Sequence, residues 1–130
     1  MPVQRQLSIF LENKPGILAR VCQSLAKAKI NIIALSVSDT VDHAVVRLIV
    51  SDPTKARDLL EQRGVLVVET DVLSLRIPNE PGALGQVSRA LSKARINIEY
   101  AYGTAGGQKS ESQFILRVDK LAKARKILKV

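Results

Sequence analysis

The chain has 130 residues, 46% hydrophobic and 25% charged, a balance that belongs to a folded globular chain and excludes a disordered one. A net charge of +8 brings nucleic acid into question, and the single cysteine, Cys22, excludes an internal disulfide. No apolar run approaches membrane-spanning length, and the start, Met1 to Gln6, runs into a strand pattern without an apolar signal segment, so a cytoplasmic location is expected.

Leu7, Ile9 and Leu11 alternate with Gln6, Ser8 and Glu12, the pattern of a half-buried strand, with Phe10 an apolar residue on its second face. Asn13-Lys14-Pro15-Gly16 follows, and Pro15 suits the first position of a helix, where its missing N–H costs nothing. Ile17, Leu18, Val21, Cys22, Leu25 and Ala28 then recur at three- and four-residue steps, giving a helix with one apolar face. Ile30 to Val37 is β-branched and apolar and reads as a strand. Asp39-Thr40-Val41-Asp42-His43 makes a polar hairpin turn, and Ala44 to Val50 a third strand. Asp52-Pro53 opens a second helix with Ala56, Leu59 and Leu60 inside; Gly64 caps it, and Val65 to Val68 forms a fourth strand.

The remainder repeats this order. Asn79-Glu80-Pro81-Gly82 begins 66 residues after Asn13, and from Asn13 to Ile32 and Asn79 to Ile98 eleven of twenty aligned positions are identical. Such agreement is an internal duplication. It predicts a strand from Val72 to Ile77, a helix from Pro81 to Arg95, strands at Ile96 to Tyr102 and Gln113 to Val118, and a last helix around Lys123-Ala124-Arg125. The expected fold is therefore α+β: two ferredoxin-like βαββαβ modules in tandem, 1–70 and 71–130, with antiparallel sheets and helices on one face. The chain stops at Val130, where a fourth strand of the second module is due, so that sheet is expected to lack its own edge strand. That edge is either left open, covered by the first module or covered by another subunit; an uncovered edge is an aggregation liability, which tilts the expectation towards a partner.

No catalytic set emerges. His43 is the one histidine, Cys22 lies on an apolar helix face, and no carboxylate pair, Ser–His set or metal spacing recurs in both repeats. Scattered Asp39, Asp42 and Glu111 do not compose a metal site, and no cofactor is expected. Gly103-Thr104-Ala105-Gly106-Gly107 lies between strands rather than before a helix, so it reads as a hairpin loop and not a phosphate cradle. The basic residues Arg20, Lys27, Lys29, Arg89, Lys93 and Arg95 fall at outward helical positions and read as solvated faces. The two Asn-x-Pro-Gly corners remain: free helix-start N–H groups favour a carboxylate, Gly16 and Gly82 allow close approach, and Asn13 and Asn79 offer amides. Asn31 and Asn97, each between isoleucines at a strand start, are a second such pair. The same corner is equally a sound turn for structure alone.

The βαββαβ order, the Asn-x-Pro-Gly loop after the first strand and the Ile-Asn-Ile entry to the second resemble an ACT domain, twice over, from about Gln6 to Glu69 and Asp71 to Val130. The stretch from Gln6 to Gly16 is similar to stand-alone tandem-ACT proteins that carry no catalytic domain. The resemblance implies a small ligand, usually an amino acid, bound where two ACT domains meet. By position it implies Asn13 facing Asn97 and Asn79 facing Asn31, with Pro15, Gly16, Ile17, Leu18, Pro81, Gly82, Ala83 and Leu84 at the approach. Serine-binding members carry a histidine two residues before the loop asparagine; Leu11 and Ile77 stand there, so an apolar or aromatic ligand is as well suited as serine. Ala83 is smaller than Ile17, and Gly85 smaller than Ala19, so the two sites are expected to be unequal. Tyr100 and Tyr102, present only in the second repeat, are expected to pack rather than wall a pocket.

The function expected is a non-catalytic regulatory protein that binds a free amino acid and forms a homodimer or larger oligomer, biasing a partner metabolic enzyme. The alternative is a ligand-independent regulatory or structural subunit of such an enzyme. Nucleic-acid binding is a third class; the sheet topology is shared with RNA-recognition modules, but those stack bases on sheet aromatics, and aromatic residues here total 3%.

Overall fold

A computed structural model describes residues 2–39, 43–104 and 111–130. In chain order it contains β1 (Val3–Glu12), α1 (Ile17–Lys27), β2 (Ile32–Asp39), β3 (His43–Val50), α2 (Pro53–Gln62), β4 (Leu66–Pro78), α3 (Ala83–Lys93), β5 (Ile98–Thr104), β6 (Glu111–Val118) and α4 (Leu121–Leu128). The hairpin turn expected at 39–43 lies outside the described residues at 40–42, and the glycine loop lies outside them at 105–110. Gly103 belongs to β5, paired with Phe114, and a Cβ there would collide with the Phe114 ring. Its glycine serves strand packing.

The chain forms two compact units, Arg5–Thr70 and Asp71–Val130, the latter taking in residues 2–4 as well. In the first, the strand order is β2-β3-β1-β4, with β1 and β2 antiparallel to β3. The register sets Leu7 opposite Leu48 and Ile9 opposite Val46. Cross-strand partners share a face, and this one meets Val21 and Leu25 of α1 and Ala56 and Leu60 of α2 in one core. In the second unit, β6 pairs antiparallel with β4 and β5. Leu73, Leu75, Leu116 and Val118 pack there with Leu91 of α3 and Ala124 of α4. Period-two strands and 3.6-period helices thus build each core on the helix-covered side of the strands, while Ile49, Val72 and Ile115, of opposite parity, are buried on the other side.

The junction departs from expectation in detail. The strands expected at Val65 to Val68 and Val72 to Ile77 merge into one continuous strand of 13 residues, β4, which begins at Leu66. The missing edge strand of the second unit is replaced by the chain's own start: the Ser74 N–H donates to the Pro2 carbonyl at 2.7 Å, and Val3 packs against the second core. Val65 and Val67 do the same for the first core. The inference of a covering partner is corrected here, because residues 2–4 satisfy the β4 edge from within the chain.

Helix ends also shift the expected strand starts. Lys29 and Arg95 adopt left-handed φ values of 60° and 59°. The next N–H groups turn back, Ile30 to the Leu25 carbonyl and Ile96 to that of Leu91, both at 2.9 Å. This is a Schellman cap, which tucks the following apolar residue under the helix. Ile30 and Ile96 are therefore buried cap residues, and β2 and β5 begin two residues later than the sequence suggests. Some of the basic residues finish these caps: Lys55 and Lys123 each donate to a last-turn carbonyl, Ala28 and Ala94, at 2.8 Å, and Lys120 donates to Arg95 at 2.9 Å. That use explains the lysine, and core burial the alanine, in the recurrence of Lys55-Ala56-Arg57 as Lys123-Ala124-Arg125.

Leu25 and Leu91 are fully buried at equivalent positions of the two repeats. Leu25→Ala and Leu91→Ala should each lower stability by about 2–5 kcal/mol. Val68→Ala, at a 44% exposed position, should stay within about 0.5 kcal/mol. Urea unfolding followed by circular dichroism measures all three.

Candidate functional site

Each corner is built by backbone chemistry that the sequence suggests only in part. Pro15 and Pro81 do not open the helices, which begin at Ile17 and Ala83. They occupy the second position of a β-turn, with Gly16 and Gly82 third at φ 86° and 87°. The turns close from Ile17 N–H to the Lys14 carbonyl at 3.5 Å and from Ala83 N–H to Glu80 at 3.3 Å. Pro then Gly with positive φ is a type II turn. The turn itself thus requires the glycines; in addition, nothing lies within 4 Å of where a Cβ would stand at either one. Arg20 N–H to Gly16 and Gln86 N–H to Gly82 are the first bonds of the helices. The preceding N–H groups, at Leu18 and Ala19 or Leu84 and Gly85, have no intrahelical partner and carry the positive end of the helix dipole. By contrast, Pro53 does stand at the start of α2, with the Asp52 carboxylate accepting from the Lys55 N–H at 3.1 Å.

The four asparagines are exposed, and none of their side-chain amides has a hydrogen-bond partner among the described residues. Asn31 and Asn97 are held by their backbones. Asn31 N–H donates to Ser51 Oγ and Asn97 N–H to Asp119 Oδ1, both at 2.9 Å, and the return bonds reach their carbonyls. Within a repeat the two asparagines are not brought together. Asn13 follows the end of β1 and Asn31 precedes β2, with the 11 residues of α1 between them, a rise of about 16 Å. The same holds for Asn79 and Asn97 across α3. A ligand of amino-acid size reaches one of each pair only.

The repeats differ in charge around this shared frame. The first corner carries Lys14, which pairs with Glu12 at 3.0 Å; that hydrogen bond and charge hold the Glu12 carboxyl below the ordinary glutamate range. The second corner carries Glu80 at the matching position, and Gln86 where the first has Arg20. Around Asn97 the order is reversed. A shallow groove of about 380 Å³ is lined there by Ser88, Ser92, Arg95 and Asn97, where the first repeat has Cys22, Ala26, Lys29 and Asn31. The corner at Asn13 and the entry at Asn97 are therefore the more cationic and hydroxyl-bearing halves. Ile17 also lines a deeper groove with Arg20, Ser24 and Arg63. The sequence reading placed Arg20 among solvated faces and passed over Arg63, because no spacing rule joins residues of two different helices. Tyr100 and Tyr102 pair with Arg117 and Ile115 across β5 and β6 and line neither groove.

Among the described residues no group of three or more His, Cys, Asp or Glu side chains is placed to hold a metal, and no helix is long and apolar enough to cross a membrane. Arg5 and Arg57 both pair with Glu69 at 3.3 Å, so part of the net positive charge is answered locally.

The sequence matches the family model of an ACT domain pair over residues 1–130. The chain belongs to the ACT domain-pair family. No curated protein matches it in sequence. Among solved structures, this ACT domain pair is similar to protein BT0572 from Bacteroides thetaiotaomicron, with 41% identity, a TM-score of 0.92, and coverage of 98% of this chain and 87% of that one. It shares its fold with the ligand-free regulatory subunit of aspartate kinase from Thermus thermophilus: 16% identity, TM-score 0.72, and 99% and 96% coverage. The same fold recurs in aspartate kinase from Synechocystis at 19% identity and TM-score 0.68, covering 96% of this chain and 24% of that one.

The turn geometry has a direct check. Gly16→Ala and Gly82→Ala must adopt positive φ and should each cost about 1–2 kcal/mol. Gly85, inside α3 with open space around it, should instead gain roughly 0.5–1 kcal/mol on change to alanine. Thermal unfolding of the three variants separates these signs.

Proposed function

We propose that this ACT domain pair is a non-catalytic regulatory protein that binds a free amino acid at a junction between ACT domains of two copies of the chain. The observation that carries the reading is the pairing of exposed, unpartnered asparagine amides with unpartnered helix-start N–H groups. The N–H groups suit a carboxylate and the amide oxygen suits an ammonium. Charge selects between the two implied combinations. The Asn13 corner with Lys14, joined to an Asn97 entry with Ser92 and Arg95, is the working combination; the Asn79 corner bears Glu80, which opposes a carboxylate.

Pairing of copies is supported by β2, an edge strand that leaves Ile33, Leu35 and Val37 40–49% exposed. A ligand that binds one arrangement of domains better than another shifts the population, and so biases a partner enzyme.

Calorimetric titration with each free amino acid tests this. Saturable heat with one or a few is expected, weakened at least about tenfold in Asn13→Ala and Asn97→Ala. Asn79→Ala and Asn31→Ala should bind nearly as the parent does. Absence of heat with every amino acid, from folded and ligand-free protein, overturns the reading in favour of a ligand-independent subunit.

A further inference from the structure

The first repeat holds a groove that the amino-acid reading does not use. It lies wholly within the Arg5–Thr70 unit, has a volume of about 450 Å³, and is walled by Phe10, Ile17, Leu60 and Val65, with Arg20 and Arg63 among its lining. That size is at the lower end of small-molecule sites, which run to roughly 300–1,000 Å³. Of the residues implied for the amino acid, only Ile17 lines it.

Its two arginines point to one ligand charge. Arg20 has no side-chain partner among the described residues. Arg63 Nη1 donates to Ser24 Oγ, and the Ser24 hydroxyl donates onward to the Arg20 carbonyl at 2.8 Å. This chain holds the Arg63 guanidinium while using one of its five N–H donors. Among the described residues neither arginine has a carboxylate partner within 4.0 Å. The one acid in the lining, Glu12, is paired with Lys14 at 3.0 Å. Two guanidinium groups at an apolar-walled groove match an anion on an apolar body, since each planar fork binds a carboxylate by two parallel hydrogen bonds.

The feature is confined to the first repeat. Phe10, Arg20 and Ser24 correspond to Arg76, Gln86 and Ala90 in the second. The frame needs none of these side chains, because the second unit forms the same fold without them.

We infer that this groove is a binding site for a small apolar monocarboxylate, a branched or aromatic acid of about five to nine carbons that needs no ammonium group. The carboxylate sits between Arg20 and Arg63, and the hydrocarbon lies against Phe10, Ile17, Leu60 and Val65.

The test is an amide-resolved NMR titration of the full chain with 4-methylpentanoate and phenylacetate, beside their neutral carboxamides. Expected are saturable shifts at Arg20, Ser24, Arg63 and Val65, with the carboxamides binding at least about tenfold more weakly. Arg20→Gln combined with Arg63→Gln should weaken the acids by a similar factor, and added NaCl should weaken them too. Asn13→Ala should leave these titrations unchanged, so loss of the amino-acid site and loss of this one are read separately. Equal binding of acid and carboxamide overturns the proposal, and so does absence of shifts in the groove. Shifts that gather at Asn13 and vanish in Asn13→Ala overturn it as well. The acid–amide comparison uses unaltered protein, so it decides even if the double variant folds poorly.

Discussion

A module of about 65 residues has too little interior to tolerate an unfinished sheet, and among the described residues the second unit takes only three strands, β4, β5 and β6, from its own repeat. The bond from Ser74 N–H to the Pro2 carbonyl, with Val3 placed on the second core, closes that gap. β4 is long for the same reason: its 13 residues finish the first unit's sheet and then begin the second's. One strand does two duties and no linker is spent. Each unit thus has four strand positions filled under two helices, and the corners and strand entries are held on rigid elements. A binding site gains from such support, because groups fixed in advance lose little freedom when a ligand arrives.

Most of this was legible where local chemistry decides alone. Helical spacing from Ile17 to Ala28 and Asp52-Pro53 before α2 mean the same thing in the fold as in the sequence, and the alternation in Leu7-Ser8-Ile9 does mark a strand; but it reads as half-buried, whereas Gln6 and Ser8 on its second face are buried too. What was missed needed information from two places at once. Pro15 reads as a helix start until the positive φ of Gly16 makes it a turn residue. Ile30 and Ile96 read as strand until a left-handed Lys29 or Arg95 tucks them beneath the helix. Non-glycine residues seldom adopt that conformation, so nothing in their identity announces it. The edge-closing role of Val3 depends on residue 74, some 70 positions away, and no periodicity connects them.

The candidate site was legible in its frame and not in its charges. The shared Asn, Pro and Gly positions come from the common fold, so they appear twice and identify a geometry. They cannot rank the copies. The ranking comes from residues that differ, such as Lys14 against Glu80 and Arg20 against Gln86. A charge near a partly desolvated carboxylate matters more than one in bulk water, so these replacements have large leverage at a corner and almost none on the exposed back of a helix. The sequence view treated Arg20 as the latter kind because its helical position is outward. Only the approach of the α2 end, bringing Arg63 to Ser24, gives that position a second wall.

A duplicated fold separates two kinds of constraint that a single copy confounds. Where both repeats agree, the simplest cause is the backbone: left-handed glycines, capping lysines, buried leucines. Where they disagree while the backbone stays the same, stability of the frame is not the cause. Ser24, paired with Ala90 by position, illustrates this. A buried hydroxyl in a helix offers little that alanine does not, and alanine has the higher helix propensity. Its presence is therefore better explained by what it holds, and what it holds is the Arg63 guanidinium. The first repeat has placed a cation over an apolar groove and fixed it there, whereas the second has kept the frame and left that place unfurnished.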